Sequence, residues 1–400
     1  MIANSLETKL PLALQEELLN DCLRSELALA DVLAQKGLTY DSLRYEDYSE
    51  TPLCQGEAED LDNFERLPAS IPAISFFAGA GGLDIGFEHA GFENIASIEC
   101  NEVFCNTLMH NNPGKVVIGP PKFSGDIRQH DEITAFLESI MGSTLPFDGV
   151  FHGGPPCQPF SVASNQRFKK ESANFKRQGF EDEEKGDLLF DFLWYVKRFR
   201  PLAFLIENVD GVKNFDATGR IDESLSELVA LGYTILPPRV VNAAQYGVPQ
   251  SRLRWIMIGT RSKRSINFPI PNTRKVNCDK VFSRSLEGVE NHHTRKHTAE
   301  SIVRYMKLPF GCRDKLGRVD RLNPNEPSKT VIAGGTKGGG RSHLHPFTPR
   351  TISVRECARL QTFPDSYVFT GATARQFTQV GNAVPPLLAY KIAIQMRKSL

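Results

Sequence analysis

The chain has 400 residues, of which 40% are hydrophobic and 24% charged, and its formal net charge is zero; that length accommodates two domains and that composition supports a packed core. No apolar run is long enough to span a bilayer, and the N-terminus lacks the basic-then-apolar order of a secretory leader, so a cytoplasmic protein is expected. Eight cysteines, at 22, 54, 100, 105, 157, 278, 312 and 357, form no C-x-x-C pair, which speaks against a zinc site and, in that compartment, against disulfides.

The neutral total hides a division along the chain. Residues 1–66 hold fifteen acids and five bases, a net of −10, whereas residues 261–350 hold nineteen bases and seven acids, a net of +12. The second segment is where a phosphate backbone is expected to dock.

In chain order, Leu10, Leu14, Leu18, Leu19, Leu23, Leu27, Leu29 and Leu33 recur at three-to-four spacing and predict one or two amphipathic helices. Their acidic surroundings speak against DNA contact and for a helical cap or partner surface. Residues 51–70 read as an acidic linker. Ala73–Phe77 predicts a buried strand, residues 78–82 a glycine turn, and Leu83–Ala90 a helix stopped by Gly91. Strand, glycine turn and helix open a nucleotide-binding crossover. Ile95–Ile98 predicts a second strand ending in Glu99, an acid placed to hold ribose hydroxyls. A third strand near residues 115–118 leads to Asp126 and Ile127, suited to an adenine amino group and ring; an ordinary turn or N-cap is the plainer reading of Asp126.

Residues 149–151 predict the strand that delivers Gly153-Gly154-Pro155-Pro156-Cys157-Gln158-Pro159-Phe160-Ser161. Paired glycines and prolines fix a rigid turn and present the thiol as a nucleophile rather than a core cysteine. Residues 162–186 form a long basic loop of the kind used as a lid or binding loop. Leu188–Val196 predicts a helix and Leu202–Ile206 a fully buried strand ending in Glu207-Asn208-Val209. Leu225–Leu231 reads as a helix, Tyr233–Val241 as a strand, and Trp255–Gly259 as another. Arg252 and Arg254, at alternate positions where that last strand begins, point to one side and can grip an oxygen or position an acid. After Thr260 the alternation ends. The glycine-rich tract 334–341 lacks the Walker arrangement. His292, His293, His297, His343 and His345 have no partners completing a metal site, so DNA contacts or plain surface suit them better. Two helices close the chain, one begun at Val354 and stopped at Pro364, one from Leu387 to Met396 with Pro385 and Pro386 in its first turn.

From Ala73 onward these motifs, in this order, resemble the cytosine-C5 DNA methyltransferases: Phe77-Ala78-Gly79-Ala80-Gly81-Gly82, Glu99, Asp126-Ile127, Pro155-Pro156-Cys157-Gln158, Glu207-Asn208-Val209, Gln250-Ser251-Arg252-Leu253-Arg254, the helix ending at Pro364, and Gly381-Asn382-Ala383. The resemblance implies an α/β, Rossmann-like domain at 71–270, completed by 366–400, with a target-recognition domain at 271–365; residues 1–70 form a helical acidic extension outside the resemblance. It implies S-adenosyl-L-methionine as cofactor, held by Phe77, Gly79, Gly81, Gly82, Leu83, Glu99, Asp126, Ile127, Pro155 and Asn382, and no metal.

It further implies that Cys157 adds to cytosine carbon 6, that Glu207 donates to ring nitrogen 3, that Arg254 holds the carbonyl oxygen and that Arg252 supports Cys157 and Glu207. The base must be flipped out of the duplex for this chemistry. The expected partners are double-stranded DNA and a cognate restriction endonuclease acting on the same site, and the expected state is a monomer. An RNA cytosine methyltransferase and a catalytically silent DNA-binding homologue are the alternatives. The basic segment favours DNA over RNA, and the complete set Cys157, Glu207, Arg252 and Arg254 opposes the silent homologue.

Overall fold

A computed structural model describes residues 9–25, 27–48, 61–142, 145–156, 188–210, 219–332 and 343–400. Cys157, the loop 162–186 and the glycine-rich tract 334–341 lie outside the described residues. The chain divides into two compact units: Met1–Asp60, Gly247–Ser251 and Arg274–Asn382 form one, and Leu61–Tyr246, Arg252–Thr273 and Ala383–Leu400 the other.

The second unit is built on one sheet. Strands β1 (Ile71–Phe76), β2 (Phe92–Ile98), β3 (Val117–Ile118), β4 (Val150–Gly153), β5 (Ala203–Asn208), β6 (Thr234–Ile235), β7 (Arg239–Asn242) and β8 (Leu253–Thr260) are arranged β3-β2-β1-β4-β5-β8-β6, with β7 also paired to β8. The first five are parallel and β8 runs antiparallel to β5. β4 and β5 are buried along their whole length, as strands with both faces covered must be. The order reverses between β1 and β4, and loops at the carboxyl ends beside such a switch point are where ligands bind in sheets of this kind.

Most predicted elements appear within a few residues of their expected bounds. The stretch expected as one strand over Tyr233–Val241 is two, because Pro237 and Pro238 supply no N–H to the ladder and separate β6 from β7. Helix Gly82–His89 lies against the closing helix Pro386–Arg397. A Cβ on Gly86 would come within 2.5 Å of the Ala389 Cβ, so only glycine permits that approach. The core between helix Leu188–Phe199 and the sheet joins Phe76, Phe151, Phe192, Tyr195 and Phe204, all fully buried.

In the first unit the N-terminal helices Leu12–Ser25 and Leu29–Gln35 are core elements rather than an appendage. Leu18, Leu19, Leu29, Leu33 and Tyr40 share a buried cluster with Ile302, Tyr305 and Met306 of helix Ala299–Met306. The boundaries therefore differ from those expected: residues 1–60 group with 274–382, and the closing part of the second unit starts at Ala383 rather than at 366.

Charge follows the same pattern. Arg350 donates from Nη1 and Nη2 to the Glu356 carboxylate at 2.8 Å, and its Nη2 lies 2.6 Å from Asp41 Oδ1. Arg321 meets Asp47 at 2.8 Å, with its guanidinium between the rings of Tyr45 and Phe310. Two arginines of the basic segment are thus held by acids of the N-terminal segment. His297, His343 and His345, read from sequence as DNA contacts or surface, are instead largely buried, and burial lowers the pKa of each.

Candidate active site

β1 ends where Phe77 takes a φ of 53°, and Gly79 and Gly81 follow at 56° and 77°, left-handed values that glycine adopts without a Cβ penalty. The Gly81 N–H donates to the Ala78 carbonyl at 2.9 Å, and Gly81 then caps helix Gly82–His89, with Gly82 and Leu83 buried in its first turn. At the end of neighbouring β2, Glu99 is only 8% exposed. Its Oε2 accepts from the Gly79 N–H at 2.8 Å and its Oε1 from the Asn101 N–H at 2.8 Å. The acid expected at the ribose is therefore oriented by the glycine turn itself. Burial raises its pKa, against the two backbone donors that favour the charged form.

Asp126 is engaged by Arg128, whose Nη2 lies 2.6 Å from its Oδ2, and that hydrogen bond lowers its pKa. Ile127 is 1% exposed, and its carbonyl accepts from the Tyr195 hydroxyl at 2.7 Å, which ties this loop to the core. Asn382 is exposed at the end of helix Thr373–Asn382 in the first unit.

The end of β5 carries Glu207. Glu207 is 7% exposed, and its Oε1 lies 2.5 Å from Arg254 Nε on antiparallel β8. Burial pushes its pKa above the ordinary 4.5, against the pull of the Arg254 and Arg252 guanidinium groups. Arg252 is 1% exposed and donates from Nη2 to the Ala383 carbonyl at 2.9 Å. The two arginines thus differ in what they touch: Arg254 pairs with the acid, and Arg252 anchors backbone while adding positive potential.

Glu207 also meets the turn after β4. A Cβ on Gly154 would come within 2.8 Å of Glu207 Oε2, and Asn208 Nδ2 donates to the Pro155 carbonyl at 3.5 Å. Pro155 is buried and Pro156 is the last described residue before Cys157.

The sequence reading missed a buried polar group behind the glycine turn, in which Asp84 accepts from Ser75 and Ser97 and pairs with Lys115. The available signal was an aspartate in the first turn of the helix, set between the apolar Leu83 and Ile85. His152, fully buried, stacks on Phe87 at 4.2 Å with both ring nitrogens lacking a partner among the described residues.

A family model of the C-5 cytosine-specific DNA methylases matches residues 71–398. The chain belongs to that family. Type II methyltransferase M.Eco47II of Escherichia coli is 30% identical, with 92% of this chain and 95% of that protein covered. Type II methyltransferase M1.HphI of Haemophilus parahaemolyticus is 31% identical over 81% of this chain and 86% of its own length. Among solved structures, a prophage-encoded E. coli protein described as a DNA modification methyltransferase superposes with a TM-score of 0.61 at 26% identity, covering 82% of this chain and 99% of that one. The Entamoeba histolytica methyltransferase EhMeth, at 15% identity and a TM-score of 0.57, shares the fold. The protein is accordingly a DNA (cytosine-5-)-methyltransferase of the type II restriction–modification kind, with the Rossmann-like fold of methyl-donor-dependent enzymes. No helix among the described residues is long and apolar enough to cross a membrane.

Proposed function

We propose that this methyltransferase acts as a monomer on duplex DNA, flips the target cytosine out of the stack, and methylates its carbon 5 through a transient bond from Cys157 to carbon 6. The observation that carries this reading is Glu207: a buried carboxyl with a raised pKa, paired with Arg254 and in the field of Arg252, against the turn that leads into Cys157.

Carbon 5 of cytosine is too weak a nucleophile to take a methyl group directly. Adding the Cys157 thiolate to carbon 6 makes the ring an enamine, and the charge that builds on nitrogen 3 must be met by a proton donor. A carboxyl whose pKa burial raises is suited to supply one. Arg254 orients that carboxyl and, with the base in place, is suited to the carbonyl oxygen; Arg252 adds potential that favours the thiolate. Loss of the carbon-5 proton to solvent and departure of the Cys157 sulfur restore the aromatic ring.

S-adenosyl-L-methionine supplies an electrophilic methyl group when bound. The glycine turn 79–82 and Glu99 suit it, because the buried carboxylate is held rigidly by the Gly79 N–H and lies at the end of β2, where ribose hydroxyls are gripped in folds of this type. Phe77, Leu83, Asp126, Ile127, Pro155 and Asn382 complete the proposed donor site. The type II relatives support protection of DNA from a cognate endonuclease as the biological role.

DNA with fluorine at carbon 5 of the target cytosine tests the reaction. Addition and methyl transfer can proceed, but elimination cannot, since fluorine would have to leave as a cation. The enzyme is expected to be trapped on this DNA in a complex that survives denaturing electrophoresis, only when S-adenosylmethionine is present and only with Cys157 intact. Active enzyme that is never trapped, or an adduct that persists in Cys157→Ala, overturns the reading.

A further inference from the structure

Asp84 is fully buried in the first turn of helix Gly82–His89. Its Oδ1 accepts from Ser75 Oγ at 2.6 Å and its Oδ2 from Ser97 Oγ at 2.7 Å, and Lys115 Nζ lies 2.8 Å from Oδ2. Lys115, whose side chain is 6% exposed, also reaches Glu88 Oε1 at 3.0 Å near the other end of the same helix. Burial alone would raise the pKa of Asp84, but Lys115, with smaller contributions from His152 and the Ser75 hydroxyl, outweighs it and holds the carboxyl at about 2, so it is an anion throughout the working range.

The placement of these partners matters more than their number. Ser75 on β1 and Ser97 on β2 face each other in register, Ser75 lies two residues before Phe77 and Ser97 two before Glu99. Asp84 comes two residues after Gly82, and Lys115 two before β3. One carboxylate thus ties the helix start to β1, β2 and the approach to β3, just behind the loops that carry the glycine turn and Glu99. A buried ion pair is seldom worth more than well-packed apolar side chains of the same volume, so net stability does not account for it. What this set does supply is direction, because two hydroxyls and one ammonium group fix the carboxylate and with it the rotation of the helix.

We propose that Asp84 is a positioning residue for the methyl donor, acting through the helix start to hold Gly79 at hydrogen-bond distance from Glu99. The inference rests on the reading of Glu99 and the glycine turn as the donor site.

The test compares Asp84→Asn, Ser97→Ala and Glu99→Gln in the full-length enzyme. Donor affinity is measured by calorimetry with S-adenosylmethionine below the thermal transition, and KM and kcat are measured separately for donor and DNA. Asp84→Asn is expected to weaken donor binding and raise the donor KM about tenfold, comparable to one hydrogen bond to a charged group. At saturating donor kcat should stay within about twofold and the DNA KM should be unchanged. A purely structural role would instead lower kcat with the folded fraction and leave Kd and KM alone, which overturns the proposal. Ser97→Ala removes one contact without stranding a charge, so it answers the question if Asp84→Asn does not fold; unchanged donor affinity there also overturns it. Weakened binding in Glu99→Gln with full affinity in the other two sinks this inference alone. Full affinity in Glu99→Gln removes the donor-site reading on which it stands.

Discussion

Glu207 and Arg254 meet diagonally across the antiparallel pair of β5 and β8, carboxylate oxygen to guanidinium nitrogen at 2.5 Å, with about a tenth of each side chain exposed. Two opposed forces act on the acid there. Burial disfavours its charged form and Arg254 favours it, and burial prevails.

Removing Arg254 should therefore move the Glu207 pKa further up. Enzyme carrying carboxyl-labelled glutamate, with Glu207→Gln used to assign the signal, permits a direct titration by carbon NMR. The expected midpoint lies above 4.5 in the native enzyme and higher again in Arg254→Ala. A downward move in the variant would contradict the balance described. Since Glu207 is proposed to act as a donor, activity should fall as pH rises through that midpoint, and the fall should occur at higher pH in the variant.

Glu99→Ala should weaken S-adenosylmethionine binding while leaving DNA affinity intact, because its carboxylate sits with the glycine turn and away from the basic segment in sequence. Loss of a charge-assisted contact to ribose hydroxyls corresponds to about 1.5–3 kcal/mol. Calorimetry reporting native cofactor affinity would take Glu99 out of the site.

DNA binding should depend on bases that internal acids do not hold. Lys315 and Arg318 are exposed at the turn joining the short strands β9 (Arg313–Asp314) and β10 (Val319–Asp320), whereas Arg321 and Arg350 are buried and paired. Lys315→Ala/Arg318→Ala is expected to lower the slope of log affinity against log salt by about 1–2, at roughly 0.9 per phosphate contact. An unchanged slope would place the phosphates elsewhere. Exchanging residues 275–350 for those of a relative should change the methylated sequence, read by bisulfite sequencing.

His152 should make the fold acid-sensitive. Burial lowers its pKa from the ordinary 6.5 to about 4, so between those values the unfolded chain binds a proton that the folded chain does not. Stability from this group is present above pH 6.5 and is lost as pH falls toward 4. Lowering pH from 7 to 5 should cost about 2 kcal/mol through this residue. Urea unfolding of His152→Phe, which keeps the ring on Phe87, should show a correspondingly smaller loss. An equal loss in both proteins would refute the assignment.

Much of the second unit was legible in the chain because its signals are local. A buried strand, a turn needing positive φ at Gly79 and Gly81, and a helix opening at Gly82 lie within a few residues of one another. The paired prolines at 237 and 238 were equally local, and the single strand expected there overlooked the N–H groups they lack. Asp84 was legible only as an oddity, since Ser75, Ser97 and Lys115 reach it from three different strands or their approaches.

By itself the sequence determined the alternation of strands and helices, the order of the motifs and the residue types the chemistry requires, since backbone conformation and strand burial are written in neighbouring residues. Only the tertiary structure decided where the charges act. Arg321 finds Asp47 across 274 residues and Arg350 finds Asp41 across 309, so bases that a running count assigns to DNA are neutralised inside the fold. The same long-range packing turns the N-terminal leucines from an appendage into core. Charge along a chain adds up without regard to distance in space, whereas electrostatic energy depends on that distance and on burial, and folding sets both.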